Sequence, residues 1–326
     1  MREGNTMTRF VFALALLIAS TTGSTAHAQE EGPTPTQALV AFESKSPVAP
    51  TASSVTLKIN NRATPLLGLS PIPANGAQVA ILIDDGLRSS IDVQLNDLRA
   101  FIQALPEGTG VFVGYMQNGR IIPASDPGFT ADHAAAAAGI HISQGVAGVD
   151  ASPYFCLQDF VKNWPGNSEL HQAPTSQVSR KARFVLMLTN GVDPYNGSTS
   201  VLNQNSPYVQ NAINDAQRAG VAVYSIYYGQ TGGFARRRGA SFSGQSYLAQ
   251  VAEGTGAISF YQGIGSPVSL QPYLKQFQAA IAETYVATFS VPASKNLARL
   301  NASTNLPKTK VRSPNEVRAG TVILSQ

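Results

Sequence analysis

Two short apolar segments of this chain each end at a loop that is rich in side-chain oxygens. The first segment is residues 79–83 (Val-Ala-Ile-Leu-Ile), and Asp84 and Asp85 follow it directly. The second is residues 184–188 (Phe-Val-Leu-Met-Leu), which leads into a polar loop at 189–193. Near-continuous apolar runs of this length predict strands covered on both faces of a parallel sheet. Because ligands of such sheets bind beyond the carboxyl ends of the strands, we expect function to lie in these loops.

Strand and helix patterns alternate between residues 78 and 283. After the first strand, apolar residues recur at helical spacing from Ile91 to Leu105, and another apolar strand follows at 111–116. Asn118-Gly119 then predicts a tight hairpin into an antiparallel edge strand. The whole pattern predicts an α/β domain over 78–283, with a doubly wound, mostly parallel sheet that carries helices on both faces.

The amino terminus has the pattern of a cleavable signal peptide. Residues 1–28 contain Arg9, a short apolar segment and a small-residue cleavage site that ends at Ala28. A transmembrane helix needs roughly 18–20 apolar residues, and no segment after residue 28 approaches that length. We therefore expect a mature chain without a transmembrane segment, exported to the periplasm or the extracellular space. Association with the cell envelope is an expectation that fits either location.

Three further regions flank the predicted α/β domain. Residues 29–53 are rich in Pro, Thr, Ser and Ala, which is typical of a flexible lead-in. Residues 54–77 alternate apolar and polar side chains and predict a short β element. Residues 284–326 alternate in the same way without helical segments between them, so we expect a small β-rich carboxyl-terminal module there.

Charge and cysteine content narrow the partners and the stabilising chemistry. The formal net charge is +4, which is too small to indicate a nucleic-acid partner. The one dense basic run, Arg236-Arg237-Arg238, lies in a Gly- and Ser-rich stretch at 230–246 and predicts an exposed loop, either solvated or in contact with an anionic partner. Cys156 is the single cysteine, so no intramolecular disulfide forms.

The sequence contains no motif of a known catalytic class. A phosphate-binding loop, a nucleophile elbow, an H-E-x-x-H helix and a C-x-x-C pair are all absent. After the signal region the histidines are His133, His141 and His171, whose spacing does not suit a metal site. We therefore predict that the protein is not an enzyme. The alternative from another functional class is a hydrolase whose catalytic residues are distant from one another in sequence.

Four motifs together resemble a known domain family. They are residues 79–84, Leu-Thr-Asn-Gly at 188–191, Ala-Gly-Val-Ala-Val-Tyr-Ser-Ile at 219–226 and Leu-Ala-Gln-Val-Ala-Glu-Gly-Thr-Gly at 248–256. In order and spacing, over about residues 78–285, they resemble a von Willebrand factor A (VWA) domain, particularly the bacterial exported group. The resemblance implies a Rossmann-like fold, a β-rich tail and a protein-binding or scaffold function.

The resemblance also implies a divalent-cation site, from which this sequence departs. The family pattern is an Asp-x-Ser-x-Ser loop, a threonine from a second loop and a later aspartate. Asp84 matches, but Gly86 and Arg88 replace the serines and Asn190 replaces the later aspartate. Mg²⁺ prefers near-octahedral oxygen ligands, and these replacements remove oxygens and add a cation. We therefore predict that the cation site is degenerate and that the protein binds neither a metal nor another cofactor. The alternative is that the site still binds Mg²⁺.

Two interpretations of the loops stay open. A third interpretation is that the whole protein is a purely structural component of the cell envelope. In the preferred one, Arg88 lies near Asp84 or Asp85 and supplies positive charge in place of a cation. In the other, a shifted register lets Asp84, Ser89 and Asp193 hold Mg²⁺ in a metal-dependent adhesion module. The loops would contact a protein partner in both, through a predicted set of contact residues: Asp84, Asp85, Arg88, Ser89, Asn190 and Asp193.

Overall fold

The computed structural model describes residues 32–87, 91–142, 152–166, 180–196, 205–229, 238–263 and 265–324. The predicted signal peptide at 1–28 lies outside the described residues. In chain order the strands are β1 (Thr34–Ser44), β2 (Val55–Ile59), β3 (Arg62–Thr64), β4 (Leu66–Pro71), β5 (Ala77–Asp84), β6 (Gly110–Gln117), β7 (Arg120–Pro123), β8 (Ala182–Thr189), β9 (Val221–Tyr227), β10 (Ser259–Phe260), β11 (Thr284–Val291), β12 (Ala298–Thr304), β13 (Thr309–Arg312) and β14 (Glu316–Val317). The helices are α1 (Leu95–Gln103), α2 (His133–Ala138), α3 (Pro153–Lys162), α4 (Pro207–Ala219), α5 (Arg238–Gly254) and α6 (Gln271–Ala282).

Six strands form the central sheet, in the order β10-β9-β8-β5-β6-β7. All neighbouring pairs are parallel except β6 with β7, which is the predicted antiparallel edge strand. The hairpin between these two turns at Asn118 and Gly119, whose φ angles of 48° and 78° suit the tight turn that the sequence predicts. The predicted mostly parallel, doubly wound α/β sheet is confirmed, and it is consistent with a VWA-like fold.

Alternate residues of each central strand belong to two different cores. Along β5, Val79, Ile81 and Ile83 pack on one face, while Ala80 and Leu82 pack on the other. Strands buried on both faces read as continuous apolar runs, which is why the sequence shows no alternation there. The first face is covered by α1, α2 and α6, and the second by α3, α4 and α5.

Two smaller sheets lie beside the α/β layers and share a third core. Their strand orders are β13-β1-β11-β4 and β14-β12-β2-β3, so each sheet combines strands from both ends of the chain. Val40, Leu57 and Phe289 are buried together between the two sheets. The region 284–326, which with or without 54–69 is predicted to form a β-rich module, does not make a sheet of its own, since its strands pair with residues from the 34–71 region.

The prediction of a flexible lead-in over 29–53 is wrong for most of its length. Residues 34–44 form β1, which pairs with β11 and β13, and its apolar run at 38–42 is buried. Val40 faces the β sandwich, while Leu39 on the opposite face joins the core that contains Phe277 of α6. A strand that is buried on both faces needs a continuous apolar run, which residues 38–42 provide. The Pro and Thr residues around this run hid the strand pattern in the sequence.

Helix α5 begins earlier than its apolar spacing predicts. We expected an exposed loop over 230–246, but residues 238–246 already belong to the helix. The Gly and Ser content there serves a close approach of the helix to the loop after β8, because an added Cβ at Gly244 would lie 2.1 Å from the carbonyl oxygen of Asn190. Among the described residues, no helix has both the length and the apolar character to cross a bilayer.

Candidate functional site

The candidate site lies at the carboxyl edge, by which we mean residues 84–87 after β5 and 189–196 after β8. These strands are parallel neighbours, and the register pairs Ile83 with Leu188. The next residues along the two strands, Asp84 and Thr189, therefore lie side by side. The prediction that the two oxygen-rich loops meet at one edge of the sheet is confirmed.

A short hydrogen bond joins the two strand ends. The Thr189 hydroxyl donates to Asp84 Oδ2 at 2.6 Å, and the Gly86 backbone N–H donates to Asp84 Oδ1 at 2.9 Å. Burial raises the pKa of Asp84, the two hydrogen bonds oppose that shift, and the neighbouring Asp85 adds to it. Both oxygens of the one carboxylate that matches the VWA metal pattern thus accept bonds from the protein itself.

Thr189 holds this edge together and was not among the predicted contact residues. Its side chain is fully buried, and its hydroxyl also accepts a bond from the Gly191 backbone N–H at 3.1 Å. Its carbonyl oxygen accepts a bond from Tyr228 N–H at 2.9 Å, which ties the loop to the end of β9. The signal for its role is positional, because Thr189 and Asp84 are the last residues of two parallel neighbours.

Asn190 shapes the loop after β8. Its Oδ1 accepts a bond from the Val192 backbone N–H at 2.8 Å, which is an Asx turn. Gly191 follows with φ 66°, and an added Cβ there would lie 2.5 Å from the Gly244 carbonyl oxygen in α5. The loop backbone therefore sits directly on a helix, with only hydrogen atoms at the closest approach.

Asp193 has an interior role, which corrects the prediction that it contacts a partner. Its side chain is fully buried. Oδ2 accepts a bond from the Ser206 hydroxyl at 2.7 Å, and Oδ1 accepts one from the Tyr195 N–H at 3.2 Å. Ser206 in turn caps α4 by accepting bonds from Tyr208 N–H and Val209 N–H. Asp193 therefore anchors the loop to the start of a helix and presents no surface to a partner.

The remaining predicted contact residues divide into one that is buried and two that lie outside the described residues. Asp85 is 1% exposed, so it also offers no side-chain surface, contrary to the prediction. Arg88 and Ser89 lie outside the described residues, as do Arg236 and Arg237 of the basic run. The hypothesis that Arg88 neutralises the loop therefore stays a prediction.

Buried aromatic and thiol groups lie directly under the carboxyl edge. The Tyr154 hydroxyl donates to the Gly191 carbonyl oxygen at 2.7 Å, and burial, followed by the charges of Asp193 and other neighbours, raises the pKa of Tyr154 well above its usual value. Burial, with Asp84 adding to it, raises the pKa of Cys156 to about 12. A thiol with so high a pKa is a poor nucleophile, so Cys156 acts as an apolar core residue.

An aromatic cluster provides the exposed surface beside these polar groups. Tyr195 is 56% exposed, and its ring lies 5.2 Å from that of Phe155. Phe155 also meets Tyr208 edge to face at 4.8 Å. Tyrosine presents a large, stiff contact area and a polar hydroxyl, which suits protein recognition.

Three of the described side chains at the carboxyl edge use oxygens within the protein. Those of Asp84, Asn190 and Asp193 accept bonds from protein donors, and Gly86 supplies no side-chain oxygen. Among the described residues, no group of three or more His, Cys, Asp or Glu is placed to hold a metal ion. The described histidines make backbone contacts, His133 with the Thr109 carbonyl oxygen and His141 with that of Gly139, both at 2.8 Å.

Comparisons with known proteins give only distant similarities. No protein-family model matches the sequence, and no curated protein does. An aerotolerance-related membrane protein from Bacteroides fragilis is 14% identical with a TM-score of 0.39, and the match covers 63% of this chain and 98% of that chain. BatB, a conserved hypothetical protein from Bacteroides thetaiotaomicron, is 13% identical with a TM-score of 0.37, covering 64% and 98%. The vWF domain of the type V pili tip protein Mfa5 from Porphyromonas gingivalis is 12% identical with a TM-score of 0.39, covering 65% and 95%. Similarities of this size carry no functional argument, so the fold description rests on the strand order itself.

Proposed function

We propose that this chain is an exported, non-enzymatic protein-binding or scaffold module of VWA type, which contacts a protein partner at its carboxyl edge without a bound metal. The observation that carries the proposal is the hydrogen bond from Thr189 to Asp84, next to the exposed ring of Tyr195. The bonds from Thr189 and Gly86 hold the Asp84 carboxylate in place, and Gly86 offers no side-chain oxygen where the VWA pattern has a serine. An exposed tyrosine on a rigid loop is available for a partner.

The rigidity of the loop supports this function. Loop 189–196 is bonded to β5 through Asp84, to α4 through Ser206 and to the buried Tyr154 hydroxyl. A contact residue on such a loop loses little conformational entropy on binding, because the protein already holds it in place. Three of the residues predicted as contacts, Asp84, Asn190 and Asp193, thus act by positioning the loop that carries Tyr195.

The two alternatives from the sequence have less support. A metal-dependent adhesion module that uses Asp84, Ser89 and Asp193 would need Asp193 as a ligand, but the two hydrogen bonds of this buried carboxylate already serve to anchor the loop and the start of α4. A hydrolase would require a base near Asp84, but the described histidines, His133 and His141, bond to backbone carbonyls. We therefore propose neither a cofactor nor a catalytic residue.

Site-specific photo-crosslinking tests the proposed contact surface. A photo-reactive amino acid replaces Tyr195, and in a matched control it replaces Leu67, an exposed apolar residue of β4. Both proteins are expressed in the native cell and irradiated. We expect a discrete crosslinked protein from position 195 and none of the same mass from position 67.

A second variant separates contact from loop position. Tyr195→Ser keeps the backbone N–H that donates a hydrogen bond to Asp193, and it removes only the aromatic ring. We expect this variant to unfold at the same denaturant concentration as the wild type and to lose capture of the crosslinked protein in a pull-down. Equal crosslinking from positions 195 and 67, or full capture by Tyr195→Ser, would contradict the proposal.

A further inference from the structure

A pocket of about 440 Å³ lies at the opposite end of the central sheet, lined by five cationic side chains. We call this end the amino edge, meaning residues 180–183 at the start of β8, residues 218–221 at the start of β9 and the neighbouring segment 318–323. Among the described residues that line the pocket, none is acidic. Like charges repel one another, so an anion that binds among these cations would be stabilised by them. The five cations are Arg180, Lys181, Arg183, Arg218 and Arg318.

Two of these cations are held in fixed positions. The guanidinium of Arg183 lies 4.9 Å from the ring centroid of Trp164, and the Trp164 indole N–H donates to Gln78 Oε1 at 2.9 Å. The Lys181 ammonium donates to the Gly108 carbonyl oxygen at 3.3 Å. Side chains fixed before a ligand arrives lose less entropy when they bind it.

The electrostatic environment of the pocket is consistent with an anion site. Burial, followed by the charge of Arg180, lowers the pKa of Arg183 to about 10. An incoming anion would relieve the repulsion between Arg180 and Arg183, which stabilises the bound state.

The backbone brings together cations that are distant in sequence. Helix α4 ends at Gly220 with φ 66°, and an added Cβ there would lie 3.1 Å from Thr321 Cγ2. This close approach places the carboxyl-terminal segment that carries Arg318 against the turn that carries Arg218. Three separate segments of the chain thus contribute charge to one pocket, which is an arrangement that no local sequence pattern reveals.

We propose that the amino-edge pocket binds a phosphoryl group, carried either by a soluble phosphate compound or by a lipid headgroup. A guanidinium presents a planar fork of donors that matches the oxygens of a phosphate, and the lining contains four arginines. A phosphate monoester carries close to two negative charges and three acceptor oxygens, so it engages several forks, whereas a carboxylate carries one charge. The proposal does not depend on partner contact at the carboxyl edge.

Calorimetric titration of the purified protein with inorganic pyrophosphate tests this site. The variant Arg218→Gln/Arg318→Gln removes two exposed cations of the pocket, and Arg62→Gln/Arg299→Gln removes two exposed cations from β3 and β12 as the matched control. We expect saturable binding by the wild type and binding weakened by about 30-fold in the pocket variant, from the loss of charge-assisted hydrogen bonds. The control should stay within about twofold of the wild type, because its cations lie elsewhere.

Vesicle sedimentation distinguishes the two sources of the phosphoryl group. If vesicles that contain phosphatidic acid, a lipid phosphate monoester, retain the wild type, vesicles of phosphatidylcholine do not, and pyrophosphate releases it, the group is lipid-borne. If pyrophosphate binds and neither vesicle retains the protein, the group is soluble. Failure of both pyrophosphate and phosphatidic acid vesicles to bind, or equal weakening by the control pair, would overturn the proposal.

Discussion

The two ends of the central sheet treat their polar side chains in opposite ways. At the carboxyl edge, Asp84 and Asp193 use their oxygens within the protein. At the amino edge, five cations converge on an open pocket without an acidic lining residue among those described. A cluster of polar residues in a loop sequence can therefore mark a loop that is held in place by its own hydrogen bonds. Such a cluster does not by itself indicate where a ligand binds.

The largest effect is expected where the carboxyl edge rests on α5. Gly244→Ala places a Cβ 2.1 Å from the Asn190 carbonyl oxygen, and neither backbone moves freely because the loop is bonded at several points. We expect the free energy of unfolding to fall by about 3 kcal/mol or more, as for other overpacked buried positions. Chemical denaturation measures this change.

Gly265→Ala is the control for that substitution. An added Cβ at Gly265 meets no atom within 4 Å, so the variant should unfold within about 0.5 kcal/mol of the wild type. Similar small changes in both variants would show that the loop moves away from α5 easily, and the rigid description of the carboxyl edge would then be wrong.

A smaller effect is expected at Asp193. Asp193→Ala leaves the buried Ser206 hydroxyl without its acceptor and also removes the acceptor of the half-buried Tyr195 N–H, which together cost about 2–3 kcal/mol of unfolding free energy. Asp126 is a matched control, because its Oδ1 accepts a bond from the Gly128 N–H on an exposed turn. Asp126→Ala should cost less than about 1 kcal/mol, since water replaces the lost bond. Equal losses would indicate that Asp193 is not buried in solution.

The third effect is one of sign rather than size. Burial raises the pKa of Asp84 above its unfolded value of 3.8, so its stabilising contribution is present below that pH and is lost as the pH rises through the folded pKa. Asp84→Asn should therefore gain stability relative to the wild type as the pH rises above 3.8. Denaturation at several pH values measures the difference.

Asp97 provides the opposite slope in the same molecule. Although burial opposes the shift, hydrogen bonds from Gln271, Ser269 and the Leu270 N–H lower its pKa. Its contribution is present above the unfolded value and is lost as the pH falls through the folded pKa. Asp97→Asn should therefore lose stability relative to the wild type as the pH rises. Parallel pH profiles for the two variants would contradict this electrostatic description.

The fold was predictable because its signals are local or periodic. The buried runs at 79–83 and 184–188, together with helical spacing between strands, were sufficient for a doubly wound sheet. The β sandwich was harder, because β1 pairs with β11 across most of the chain length and its short apolar run lies among Pro and Thr. Pairings between distant segments leave no mark in a local pattern.

The candidate site was predictable in place but not in role. The residue that closes the carboxyl edge, Thr189, was in the predicted loop, yet its partner Asp84 is apparent only from the strand register. Asp193 was predicted as a contact because it lies in the polar loop after a buried strand. Its side chain is instead buried, where it accepts a bond from Ser206, the residue that caps α4. The amino-edge pocket was not predicted, because Arg183, Arg218 and Arg318 are far apart in sequence.

Calorimetric titration with Mg²⁺, Mn²⁺ and Ca²⁺ tests most directly whether the carboxyl edge satisfies its own charges. Because Gly86 and Arg88 replace two hydroxyl ligands of the VWA pattern, and Thr189 and Gly86 bond the Asp84 oxygens, we predict no saturable heat for any of the three ions at concentrations up to about 1 mM. Asp84→Ala should then give the same flat titration as the wild type. Binding by the wild type at roughly 1–10 µM that disappears in Asp84→Ala would show that a dication occupies this edge, and it would contradict the account.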